Sequence, residues 1–166
     1  MDSDSLYHRD IVNTLHASSL EDLTLSGDLL ASSVSMESLQ SDFEVIIVAL
    51  QSNRSLTTIG ISRDVLKAIG ESDQGRLFRS LGNLPTLQQM MVWGGTTESA
   101  SAINTRALTD ALSETSNSLN SLVLSGLKIS SRSEVEQLAL GLKSRVGSLR
   151  ILILEDIVLD VEDKSR

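Results

Sequence analysis

The 166-residue sequence predicts an α/β solenoid, in which one strand-loop-helix unit is repeated and stacked. Three observations carry this. A six-residue pattern, L-x-x-L-x-L, occurs five times, beginning at Leu20, Leu56, Leu87, Leu119 and Leu149, so successive starts are 36, 31, 32 and 30 residues apart. Within each motif the apolar positions alternate, as in a strand that buries one face, whereas the stretches between motifs change to helical spacing. Aromatic residues make up only 2% against 40% hydrophobic overall, so aliphatic side chains must fill a repetitive core.

Taken in order, the N-terminal half-unit (residues 1–19) carries Leu6, Ile11, Val12 and Leu15 and reads as a helix covering the first edge of the stack. The first motif predicts a strand at Asp22–Leu25; a loop from Ala31 to Gln40 follows, then a helix through Phe43, Ile46, Ile47 and Leu50. The second and third motifs predict strands at Thr58–Ile61 and Gln89–Val92, and Ala107, Leu108, Ala111 and Leu112 mark the third unit's helix. The fourth predicts a strand at Ser121–Leu124 and a helix through Val135, Leu138 and Leu142, with Ala139 filling in. An incomplete fifth unit begins with a strand at Arg150–Leu154. Ser41-Asp42, Ser101 and Ser133-Glu134 are the expected helix caps, because short oxygen-bearing side chains can accept from a free first-turn N–H. A single unit cannot bury its apolar face, so the units must stack into one domain, residues 1–166, with a parallel sheet on one side and helices on the other.

These residues resemble the leucine-rich-repeat family, and the long units with full helices are most similar to its ribonuclease-inhibitor-like class. Beyond the six-residue motif, the family places an apolar residue five positions after the motif's end, where this chain has Leu30, Leu66, Ile129 and Leu159, with Thr97 as the exception. The family's A-L-x-x-N-x-x-L helix ending is reproduced by Ala49-Leu50 through Asn53 to Leu56, and Ser80-Leu81 to Leu87 keeps the spacing with Pro85 inside it. The resemblance covers residues 6–166 and implies a curved parallel sheet on a concave face with helices on the convex one. Three features depart from it. The asparagine that family members place after the strand is replaced by Asp28, Asp64, Gly95, Leu127 and Ile157. The period exceeds the family's usual ~20–29 residues. The sequence reaches Arg166 where the fifth unit's helix is due, which leaves the last strand uncapped and predicts self-association through that edge.

With the motif's first, fourth and sixth residues facing the core, its third, fifth and seventh face the concave side, the surface this family commonly uses for protein partners. The first two rows there, Asp22, Thr24 and Ser26, then Thr58, Gly60 and Ser62, are small and polar. Toward the C-terminus Met91, Trp93, Val123, Ile151 and Ile153 form an apolar patch and are the candidate partner-binding residues. Rows of this kind are equally expected where further chain covers them. The function read from the sequence is therefore non-catalytic binding of a partner protein. Two alternatives stand beside it: a structural segment of a larger repeat protein, or a regulator of a small GTPase. The family includes GTPase activators, and for that role the resemblance points to an exposed arginine, Arg63, at the rim.

Composition narrows the chemistry. A net charge of −8 argues against nucleic acid as partner, because phosphate binding needs a basic stripe. With no Cys there is neither a disulfide framework nor a thiolate metal site. His8 and His16 stand two turns apart on the N-terminal helix, out of mutual reach. Trp93-Gly94-Gly95-Thr96-Thr97 lacks the spacing of a phosphate loop and reads as a repeat turn, and the acids Glu155, Asp156, Asp160, Glu162 and Asp163 fit no EF-hand, so no cofactor or metal is expected. The opening MDSDSLYHRD has no secretory character and the apolar run around Val45–Leu50 is far short of a membrane span; a cytoplasmic, soluble protein is expected, with the nucleus not excluded.

Overall fold

The structure is a computed structural model that describes residues 20–25, 36–93, 101–113 and 118–159. It is α/β. Its strands are β1 (Asp22–Leu25), β2 (Thr58–Ser62), β3 (Gln89–Trp93), β4 (Ser101–Ala102), β5 (Ser121–Ser125), β6 (Leu127–Ile129), β7 (Ile151–Glu155) and β8 (Val158–Leu159). Four helices alternate with them: α1 (Met36–Ser52), α2 (Arg63–Gly82), α3 (Thr105–Ser113) and α4 (Arg132–Ser144). The expected N-terminal helix, with Leu6, Ile11, Val12, Leu15 and both histidines, lies outside the described residues, as do Ser26, Asp28, Leu30, Gly95 and Thr97.

The five motif strands form one sheet in the order β1-β2-β3-β5-β7, every pair parallel, each within a residue or so of the predicted span. Like motif positions lie level across it: Leu23, Ile59, Met90, Leu122 and Leu152 are consecutive partners. Pairing starts before the strands do. Glu21 O takes the N–H of Thr57 and Thr58, Thr57 O those of Gln88 and Gln89, Gln88 O those of Asn120 and Ser121, and Asn120 O those of Arg150 and Ile151. One fork thus repeats at all four junctions. A hydroxyl reinforces it: Ser55, Thr86 and Ser118, each the residue before a motif, donate from the side chain to Leu20 O (2.8 Å), Leu56 O (2.8 Å) and Pro85 O (3.0 Å) of the preceding unit.

Alternation then sorts the side chains. Leu56, Ile59 and Ile61, Leu87, Met90 and Val92, and Leu119, Leu122 and Leu124 are all fully buried, and form one apolar cluster with Phe43 and Leu50 of α1, Leu77, Phe78 and Leu81 of α2, and Leu108 and Leu112 of α3. Consecutive helices pack side by side, α1 on α2, α2 on α3 and α3 on α4. Gly141 permits the last approach, since a Cβ there would stand 3.1 Å from the Thr109 backbone.

The helix boundaries differ from those expected. Ser41-Asp42 lies inside α1, Ser101 is in β4, and Ser133-Glu134 falls within the first turn of α4. The cap of α4 is Ser131, whose Oγ accepts from Glu134 N while Glu134 Oε2 accepts from Ser131 N (3.1 Å). That of α3 is Asn104, whose Oδ1 takes the N–H of Ala107 (2.9 Å). In both cases the side chain that reaches the third helical N–H is the cap, and the helix starts where that reach is met. Val135 and Ala139, expected in the core, are exposed on α4, while Leu138 is buried.

The second helix is interrupted at Gly70 (φ 69°, ψ 169°), a positive-φ backbone suited to glycine. Buried Gln74 spans the break: its Nε2 donates to Leu66 O (2.8 Å) and its Oε1 accepts from Asn104 N (2.9 Å), fastening α2 to the start of α3. Arg145 does similar work at the other end of α3, where its buried Nε donates to Leu112 O, a cation at a helix C-terminus.

A second sheet escapes the sequence reading. The short strands β4, β6 and β8 pair in parallel, and in it Ile129 and Leu159 are level with each other. Ile103 follows Ala102, itself level with Lys128, and so reaches the height of Ile129; both isoleucines are buried. Ile103 thus fills in the third unit the role expected at Thr97. In the second unit α2 follows β2 at once, and Leu66 is buried as a helical residue instead.

Candidate protein-binding face

Because the strands are parallel and in register, residues at odd motif positions form rows across the face of the sheet turned away from the helices. The fifth positions give Thr24, Gly60, Met91, Val123 and Ile153, and the third give Asp22, Thr58, Gln89, Ser121 and Ile151. Of the five candidate binding residues, Met91, Val123 and Ile153 therefore occupy one row on three adjacent strands, at the ~4.8 Å strand spacing. Ile151 is two residues along β7, on the same face as Ile153. Met91 and Val123 are half-buried, while Ile151 and Ile153 are exposed. Not every residue of this face is accessible: Ser62 and Ser121 are buried.

Trp93 is set apart from this group. Its ring leans toward β2, where a Cβ built on Gly60 would stand 2.7 Å from its Cη2. The small residue at Gly60 does not leave the indole open to solvent. Instead the missing side chain makes a seat for it, and Trp93 is half-buried. The ring thus closes the polar end of the Met91–Val123–Ile153 row.

Arg63, expected as an exposed residue of the rim, is 2% exposed. It opens α2 directly after β2, and its Nη1 donates to Gly126 O at 2.8 Å, in the turn between β5 and β6. Gly126 has φ 69°, and its own N–H donates to Glu155 O (3.0 Å). A side chain from the second unit thus crosses to the fourth, whose turn is bonded to the fifth. Those bonds tie the exits of β2, β5 and β7 together. An arginine so engaged is not presented to a partner's nucleotide. No sequence pattern announces it, since a buried arginine is rare and its acceptor lies far along the chain.

The helix layer carries a separate electrostatic feature. Arg76 of α2 holds both carboxylate oxygens of Glu44 of α1, one at 2.7 Å, and also approaches Asp73 at 3.4 Å. Hydrogen bonding from Arg76 keeps the Glu44 carboxyl below the usual glutamate range. Among the described residues no group of three or more His, Cys, Asp or Glu side chains is gathered to hold a metal, and no helix is long and apolar enough to cross a membrane.

No known family's model matches the chain, and no curated protein matches it significantly in sequence.

Proposed function

We propose that the chain is a leucine-rich-repeat solenoid of the ribonuclease-inhibitor-like class that binds a partner protein on its concave face, without chemistry of its own. The observation that carries this is the row Met91, Val123 and Ile153, with Ile151 beside it: aliphatic side chains brought level on three adjacent strands, on the face not used for the core. Repetition supports the family reading, since one backbone fork recurs at every unit junction and like motif positions are paired throughout. A flat apolar row bordered by a half-buried tryptophan suits an apolar anchor from a partner surface, because such centres contribute most of the binding energy while polar surroundings exclude water.

The test is capture of binding proteins from cell extract by the intact chain and by a Met91→Glu/Val123→Glu variant. Proteins retained by the chain and lost from the variant, with an unchanged circular-dichroism spectrum, support the reading. An identical set on both sinks it.

A further inference from the structure

Val48 apart, every large apolar side chain that stands exposed among the described residues falls between Val135 and Leu159. Strand β7 is the centre of that region. Ile151 is 51%, Leu152 43%, Ile153 39% and Leu154 46% exposed, so the strand offers apolar side chains on both faces, whereas Leu122 and Leu124, level with Leu152 and Leu154 on β5, are fully buried. Among the described residues β7 has one strand neighbour, β5, and its outer edge presents a row of N–H and C=O groups.

We propose that β7 pairs antiparallel with β7 of a second copy of this chain, making a two-fold dimer with one continuous sheet. Charge placement selects this occupant. Arg150 precedes the strand, and Glu155 and Asp156 close it. Antiparallel pairing brings each basic start against an acidic end, whereas parallel pairing of two β7 strands sets like charges level. Directly opposed residues of an antiparallel pair share a face. With the axis at Ile153, therefore, Ile153 meets its own copy, Leu152 meets Leu154, Ile151 meets Glu155, Arg150 meets Asp156, and both open faces lie on the same side. With the axis at Leu152, Arg150 would meet Leu154 and the charges would be unmatched. Head-to-tail stacking, β7 on β1 of another copy, continues the sheet in parallel and matches Arg150 with Glu21 and Leu152 with Leu23, but sets Ile153, the centre of the exposed strand, level with the polar Thr24. The two-fold arrangement covers Ile153 with Ile153 and is closed rather than open-ended. It also carries the row Met91, Val123 and Ile153 across the axis into its copy, although the dimer does not depend on that row binding a partner.

The chain has no cysteine, which makes a site-directed cross-link decisive. Light scattering over the micromolar range should give twice the chain mass. Ile153→Cys should oxidise to a covalent dimer, since opposed strand residues lie within disulfide reach, while Leu140→Cys, 61% exposed on α4, should not. Ile153→Arg, which sets two cations at the axis, should halve the mass with an unchanged circular-dichroism spectrum. The proposal is overturned if the chain is monomeric across that range. It is equally overturned by a ladder of larger masses in which Ile153→Cys links to Thr24→Cys on another copy rather than to itself.

Discussion

The indole of Trp93 occupies the space that a side chain at Gly60 would need: a Cβ there would stand 2.7 Å from Cη2 of the ring, closer than such atoms come. The two residues are on adjacent strands, with Gly60 paired to Met91 and Ser62 to Trp93. The glycine therefore fixes the ring's rotamer, and with it the border of the apolar row. Gly60→Ala should push the ring off the sheet, lowering stability by about 1 kcal/mol through overpacking and lost burial. As Trp93 is the single tryptophan of the sequence, its fluorescence reports the change directly. A red-shifted emission is expected for Gly60→Ala and none for Thr58→Ala; equal spectra would show that the ring does not depend on the glycine.

The strands were legible because two signals coincide in them: period-2 alternation and a motif recurring five times. Leu56, Ile59 and Ile61 could be placed in the core with no knowledge of their neighbours. The short second sheet was not, since β4 and β8 are two residues long and an alternation needs more positions than that to declare itself. Its clue was the apolar residue beyond each motif, but the third unit places it at Ile103, after a longer excursion. Asn53 was visible in the helix ending, and its Oδ1 does accept from Ser55 N (2.9 Å) and Leu56 N (2.7 Å). The apolar row was readable from spacing alone. The seating of Trp93 and the burial of Arg63 were not, because each depends on a partner that only the stack brings near. One further signal stands in the sequence: Ser19, Ser55, Thr86, Ser118 and Ser148 put a hydroxyl before all five motifs.

That hydroxyl position yields a prediction. Thr86 Oγ1 donates to Leu56 O across the unit boundary, and Thr86→Val keeps the shape while removing the donor. A loss of about 1 kcal/mol is expected, the usual net value of one such bond. Denaturant midpoints of Thr86→Val and Thr86→Ser should differ, with the serine variant nearer the parent. If valine is tolerated as well as serine, the hydroxyl contributes nothing to the junction.

Leu122 and Leu152 share a motif position and are paired across β5 and β7, yet one is fully buried and the other 43% exposed. Leu122→Ala should cost about 2–5 kcal/mol, from lost burial plus an unfilled cavity. The same change at Leu152 should cost far less, because solvent already reaches the site. The comparison is made on the Ile153→Arg background, so that self-association does not enter. Equal losses would mean that β7 is as deeply packed as β5.

The Glu44–Arg76 pair carries a pH dependence whose sign follows from the direction of the shift. Glu44 titrates below its ordinary value when folded, so the pair's contribution is fully present above the unfolded glutamate pKa of about 4.3. It is lost as pH falls through the lower folded value. The difference in stability between the parent and Glu44→Gln should therefore be constant near neutrality and vanish on acidification. Salt should shrink it too, since both side chains face solvent. A difference that survives acid would assign the effect to packing rather than charge.

Arg63 gives the sharpest separation between a structural and a chemical role for a charged residue. Its guanidinium is buried and donates to Gly126 O, in the turn whose N–H is bonded to Glu155 O. Arg63→Met retains length and apolar stem but leaves that carbonyl without its donor, so a loss of about 2 kcal/mol is expected, in the range for bonds to charged groups. Arg63→Lys keeps the charge without the planar fork and should recover only part of it. The location of the damage is the stronger test. Hydrogen exchange should show the amides around Gly126 losing protection, although they lie on a different unit from the substituted residue. An arginine that merely faced solvent would leave both the midpoint and those amides as they were.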